Sequence, residues 1–334
     1  MRDATRTNVV GTVEPFGRSL TWWPLAFLIA VMVLLGAVVY LCSVIAHVLA
    51  AAAGTAAKPG VSGTSVVRSA AVEGDRMVAR APDNIPEDTD LDAAIGAALA
   101  RHPEAAGVAV LHTEHGRWAG HNADRVFYAA STFKLAVLYE VERRVSAGEL
   151  SYDDRLTLTG EEFAEDLGTL DRVPVGPDGT VSIGQALEAM VTLSDNATAV
   201  AIMRLVSPAA IDATLREVGL RTMSVNTVGL PATAADLALL MRAIVEGVGV
   251  APEQSEHMRD LLVRQTVRHG IPAAAGGGAM VGNKTGTWPG STNDVAFVET
   301  DGGTYVIAIM AEGDWNWELI RDVSGAVARV LAGR

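Results

Sequence analysis

Two β-rich runs near the C-terminus, "DVAFVET" and "TYVIAIMAEG", flank the turn pair Asp301-Gly302, and a related pattern, "AAGVAVLHTEHGRWAG", lies far upstream. The later runs read as a hairpin, and the earlier one as two short antiparallel strands turning around Glu114 to Gly116. Between them the spacing of apolar residues is helical, at about 131–147, 182–193, 196–206, 208–218, 233–246 and 252–264. A helix in "DTDLDAAIGAALARH" opens the region, and another running to about residue 332 closes it. This order predicts an α/β fold in which one antiparallel sheet is assembled from both ends of the domain. Helices cover both faces of the sheet, and the middle of the chain forms an all-helical subdomain.

Upstream of that domain, Trp22 to Ala46 contains no Asp, Glu, Lys or Arg and is long enough to cross a bilayer core as a helix. Trp22 and Trp23 at one end and Tyr40 near the other suit the two interfaces. A cleaved signal peptide is the competing reading, since small residues follow at Ala50 to Ala53. The run is too long for a typical signal core and begins about twenty residues in, which favours an uncleaved anchor. Arg2, Arg6 and Arg18 precede it, and Lys58 and Arg68 are the nearest basic residues after it, which favours a cytoplasmic N-terminus. The expected organisation is a short cytoplasmic tail (1–21), a transmembrane anchor (22–46), a flexible linker (47–88) and an extracytoplasmic domain (89–334), with single-pass attachment to the cell membrane. A coil of about forty residues spans roughly 35 Å, enough to keep a domain near a membrane without fixing its orientation.

Charge excludes one class of partner. Residues 1–88 carry seven basic and seven acidic residues, so the net charge of −13 belongs to residues 89–334. A nucleic-acid binder needs a basic surface to displace counterions, and this domain is acidic. The single cysteine, Cys42, lies inside the apolar run, so no disulfide is available to the outer portion. His112 and His115 suit neither a helical zinc pair nor a catalytic triad, and no metal or other cofactor is implied.

Three short motifs carry chemistry. In "STFK", Ser131 stands at a helix start and Lys134 three residues on, on the same helix face. Free N–H groups at a helix start favour developing negative charge, and a desolvated lysine amine becomes a base near neutral pH. Taken alone, Ser131 reads more readily as an ordinary N-cap than as a nucleophile. "SDNATA" places Ser194, Asp195 and Asn196 before another helix, and "GNKTGTWPG" places Lys284, Thr285, Gly286 and Thr287 by the terminal strands. Each is unremarkable alone; together and in this order they are far more specific.

In this order the motifs, with the "NDVAFV" strand, resemble the penicillin-recognising (S-x-x-K) serine hydrolases, class A β-lactamases in particular, over nearly all of residues 90–332. The resemblance implies a β-lactamase/transpeptidase-like fold and a role for each position. Ser131 would be the acylated nucleophile, and Lys134 its base or the group that tunes it. Ser194 would pass a proton to the leaving nitrogen. Asn196 would hold Lys134 and the substrate amide, while Lys284 and Thr285, within Lys284-Thr285-Gly286-Thr287, would bind the substrate carboxylate. Backbone N–H groups of Ser131 and Thr287 would form the oxyanion hole. Asp195 reads as a structural helix-start residue.

One departure shapes the expectation. Class A enzymes follow S-D-N with a loop bearing E-x-x-L-N, whose glutamate activates the deacylating water, but no carboxylate stands between Glu217 and Asp236 here. Asp236 reads as part of a Thr233-x-x-Asp236 capping arrangement, and Glu161, Glu162, Glu165 and Asp166 in "GEEFAEDLG" as a solvated acidic face. No arginine in the strands after "KTGT" stands ready to help Lys284 hold a carboxylate. The leading expectation is a membrane-anchored serine hydrolase that forms an acyl-enzyme with β-lactam amides and releases it slowly. The alternatives are a D-Ala-D-Ala carboxypeptidase or esterase on the same fold, or a penicillin or peptidoglycan sensor with little turnover.

Overall fold

The computed structural model describes residues 85–114 and 116–333; the expected tail, anchor and nearly all of the expected linker lie outside the described residues. Strands β1 (Ala106–His112), β2 (Arg117–His121), β7 (Met280–Trp288), β8 (Ser291–Thr300) and β9 (Gly303–Glu312) form one sheet in the order β2-β1-β9-β8-β7. Every pairing in it is antiparallel, and β1 lies against β9 with Ala106 opposite Ala311. The sheet is therefore drawn from both ends of the domain, as the sequence order predicts.

Both of its faces are covered. On β1, Val108 and Val110 point into one apolar cluster and Ala109 and Leu111 into another; on β9, Ile307 and Ile309 alternate likewise with Val306, Ala308 and Met310. A strand buried on both sides has no polar face, which is why these segments read as unbroken apolar runs. Each fully buried branched side chain contributes on the order of 1.5–3 kcal/mol. Helices α1 (Thr89–Leu99) and α9 (Trp317–Ala332) supply the cover on one face. The other face meets α7 (Ala234–Glu246) and the helical region, whose central helix α2 (Lys134–Ser146) buries every side chain from Lys134 to Glu142. The small ladders β3 (Phe127–Tyr128) with β6 (Pro231–Ala232), and β4 (Arg155–Thr157) with β5 (Thr180–Ser182), complete the strands.

Helix ends follow local chemistry. Asp195 accepts the backbone N–H of Thr198 at 2.7 Å and starts α5 (Asn196–Val206), in line with its structural reading. Ser207 caps α6 (Pro208–Val218), which stops at the left-handed Gly219. The domain begins a little before Thr89: the backbone of Pro86 and Asp88 is hydrogen-bonded to Trp118 on β2, and Asp88 caps α1.

Candidate active site

Ser131 is not an N-cap. Residues Ala130–Phe133 form a 3-10 turn that leads directly into α2, and no side chain caps its start. The chain enters this turn through Ala130 at φ 45, a conformation that costs a non-glycine residue about 1 kcal/mol. Neighbours hold it there. Ala129 donates its N–H to the Leu230 carbonyl at 2.9 Å, and the Asn293 side-chain amide donates to the Tyr128 and Ala129 carbonyls at 2.9 and 3.0 Å. The Ser131 side chain is half-buried, and among the described residues its hydroxyl has no hydrogen-bond partner.

Strand β7 packs against this turn from the edge of the sheet. A Cβ added to Gly286 would lie 2.7 Å from the Ala129 carbonyl oxygen and 3.0 Å from the Ser131 nitrogen. Glycine is required there because the strand and the Ser131 backbone touch. As the outermost strand, β7 also leaves alternate backbone groups on its free edge without a strand partner.

Two lysines converge on Ser194. This residue adopts a left-handed conformation (φ 60, ψ 32) after α4 (Ile183–Glu188) widens into a π-turn at Ala189–Leu193, which points it back toward α2. Lys134 Nζ donates to the Ser194 carbonyl at 2.5 Å and to Asn196 Oδ1 at 2.7 Å, and lies 3.3 Å from Ser194 Oγ. Lys284 Nζ donates to the same hydroxyl at 2.9 Å and to the Thr285 carbonyl at 2.9 Å. Neither lysine side chain reaches solvent.

Desolvation lowers Lys134 to about 7, partly opposed by the nearby Asp195 carboxylate. Lys284 is held well below the ordinary lysine value by burial first and by the charge of Lys134 second, with Asp294 opposing. Two ammonium groups bridged by one hydroxyl repel strongly where water is excluded, so near neutrality at least one amine is uncharged. With Lys134 neutral, Ser194 can donate to it while accepting from Lys284. Lys134 and Ser131 are not hydrogen-bonded to one another in this arrangement; the lysine is engaged with Ser194 and Asn196 instead.

Supporting residues lie where sequence spacing does not point. Gln265, buried and distant along the chain, donates its side-chain amide to Thr285 Oγ at 2.9 Å, which leaves the threonine's own proton free for an incoming oxygen. Asp294, opposite Thr285 on the neighbouring strand β8, is fully buried, and burial raises it to about 6 against the hydrogen bonds it accepts from Asn283 and the Ile271 N–H. Thr287 is half-buried at the free edge, followed by the exposed Trp288.

On the opposite flank the chain between Gly219 and Leu230 is fastened from behind. Thr233 caps α7 as expected, but the Asp236 carboxylate does not reach back to the cap. It accepts the backbone N–H groups of Arg221, Thr222 and Met223 at 2.6–3.0 Å. Asp212 similarly accepts from Val225 N and Ser224 Oγ. In the earlier acidic segment, Glu162 closes a capping box with Thr159 and pairs with Arg204, while Asp166 accepts three backbone N–H groups. Thr169, at the end of that segment, donates to Asp195 at 2.5 Å and so props the S-D-N turn.

Comparison with known proteins identifies the family. The Beta-lactamase enzyme family matches residues 90–332. A β-lactamase of Rhodobacter capsulatus is 25% identical over 256 residues, which cover 67% of this chain and 83% of the relative. A mutant of PBP-A, solved as its acyl-enzyme complex with penicillin G, superposes with a TM-score of 0.70 at 27% identity, covering 75% of this chain and 99% of that one. A β-lactamase from Sphaerobacter thermophilus DSM 20745 gives a TM-score of 0.66 at 26% identity, over 74% of this chain and 98% of that one. The chain belongs to the Beta-lactamase enzyme family and is a serine hydrolase.

Proposed function

We propose that the protein opens β-lactam-type amides by acylation of Ser131 and releases the acyl group slowly, from a domain tethered outside the cell membrane. The observation that carries the chemistry is the convergence of two solvent-excluded lysines on Ser194, one turn of helix from an uncommitted serine hydroxyl. Neutral Lys134 takes the proton of Ser131 Oγ once that side chain rotates toward it, and the oxygen forms its bond to the carbonyl carbon. Backbone N–H groups of Ser131 and Thr287 receive the developing oxyanion. As the C–N bond breaks, the proton passes from Lys134 through Ser194 to the leaving nitrogen, and Lys284 replenishes or steadies that relay. Thr285, with its hydroxyl proton left free by Gln265, and Lys284 hold the substrate carboxylate.

Deacylation needs a base for water. The loop Gly219–Leu230 carries no carboxylate; of the acids nearest to it in sequence, Asp212 and Asp236 are committed to its backbone and Glu217 is paired with Arg143. General-base catalysis is worth about 10²–10⁴-fold, and its loss is the reason for slow release. A D-Ala-D-Ala carboxypeptidase or esterase on the same fold is the second reading, since acylation of a serine requires a carbonyl and a leaving group but not a lactam ring. Membrane attachment rests on the apolar run Trp22 to Ala46.

The test is to incubate the full-length protein with a fluorescent penicillin and follow labelling and its decay, beside Ser131→Ala. Stable labelling that disappears in the variant supports the reading. Rapid release would overturn slow deacylation, and labelling that survives in the variant would remove Ser131 as nucleophile. No labelling, with turnover of peptides or esters, would favour the second reading. Protease added to intact cells should remove the domain; protection would reverse the topology.

A further inference from the structure

The strand beside Ser131 has a direction, and the chemistry gives its two ends different meanings. Ser194, which supplies the leaving nitrogen with its proton in the reading above, lies at the Lys284 end of β7. Gly286 touches the backbone of Ser131, and Trp288 is two residues beyond, about 7 Å further along. A substrate whose nitrogen faces Ser194 and whose carbonyl sits at Ser131 must extend its acyl portion toward Trp288.

At that end the site is aromatic and open. Lys284, Gly286 and Trp288 alternate onto the same face of β7, and the Trp288 ring lies against Tyr128, three residues before the nucleophile, with centroids 6.2 Å apart and planes tilted by 58°. Trp288 is nevertheless 57% exposed. Its partner Tyr128 also lines a recess of about 350 Å³, together with Val126, Phe127, Pro231, Ser291 and Glu312, whose carboxylate is already paired to Arg125. The short loop leaves this recess uncovered: Val228 at its tip is fully exposed and Leu230 is tied to Ala129.

We infer that Trp288 and Tyr128 form an acyl-side shelf, and that the substrates of this site are acyl donors carrying a bulky aryl or branched apolar group. The inference rests on acylation at Ser131 as proposed above. A flat apolar group laid on a half-exposed indole removes both surfaces from water, an effect on the order of tenfold in the acylation constant. No charged group is recognised there, because the one carboxylate in the lining is already neutralised.

The test compares 6-acetamidopenicillanic acid with benzylpenicillin, which keep the same lactam and side-chain amide and differ by one phenyl ring. Their second-order acylation rates are measured on the full-length protein and on Trp288→Ala and Trp288→Phe. Wild type is expected to prefer benzylpenicillin about tenfold. Trp288→Ala should bring the ratio near one while the acetamido compound keeps its rate within about twofold, and Trp288→Phe should retain most of the preference. A ratio near one in wild type, or a ratio unchanged in Trp288→Ala, overturns the shelf alone. Failure of both lactams to acylate the wild-type protein removes the Ser131 reading itself, and the shelf with it.

Discussion

On one flank of Ser131 two lysine amines are carried out of water and meet at a single hydroxyl; on the other, Gly219–Leu230 has no ionisable acid, and its amides are gathered by Asp212 and Asp236. The first flank keeps buried charge under tension, which is what holds an amine near neutrality in a usable state. The second satisfies its polar groups quietly and contributes no base. Under the proposed function, such a site forms a covalent intermediate readily and lacks a base for breaking it.

The contrast can be broken most sharply at Lys134. Replacing it with alanine should slow acylation by about 10³-fold, measured as the rate of penicillin labelling, since a general base in this position is worth about 10²–10⁴. A variant that still acylates at near wild-type speed would show that the buried amines do not activate the serine. Next in size is Gly286→Ala. Its Cβ would press on the Ala129 carbonyl and lift the strand from Ser131, and displacement near 1 Å costs about a hundredfold, visible as slower labelling of a protein that still folds but loses about 1–3 kcal/mol of stability.

Lys134 acts as base only when neutral, so with its value at about 7 acylation should rise with pH through that point. Between pH 6 and pH 8 the gain should be roughly tenfold, with a plateau above. A flat profile over that range would assign the proton transfer elsewhere. The smallest chemical effect belongs to the other flank. Asp236→Asn leaves one acceptor for three N–H groups and should cost about 2 kcal/mol in urea unfolding, with the acylation rate altered by no more than a few fold. A large loss of acylation would mean that the two flanks are coupled after all.

How much of this was readable beforehand depended on the range of the interaction. Sheet segments, helix spans and the caps at Asp195 and Thr233 are set by neighbours a few residues away, and their patterns survive in the sequence. Ser131 misleads as an N-cap because the left-handed entry at Ala130 is imposed from outside, by Asn293 and Leu230. The π-turn that rotates Ser194 into place has no compositional signature, and residues 182–193 read simply as helix. Gln265 and Asp294 could not be singled out from spacing, since their partners are brought near only by the assembled sheet and the loop before β7. The acidic face at Glu161 to Asp166 hid a difference between residues: Glu162 and Asp166 serve local backbone and cap geometry, whereas Glu161 and Glu165 remain exposed.

The pairing of Ala106 with Ala311 also orders events in time. As the chain is made, β1 emerges about two hundred residues before the strand that will lie beside it, and such long-range pairings form late. Until β9 exists, β1 can pair only with β2, and an unpaired edge with apolar faces invites other chains. Lys284 is synthesised almost as late, so Ser131 and Lys134 wait in a half-built neighbourhood. An incomplete chain therefore carries the aggregation hazard of the open sheet without the reactivity of the finished enzyme.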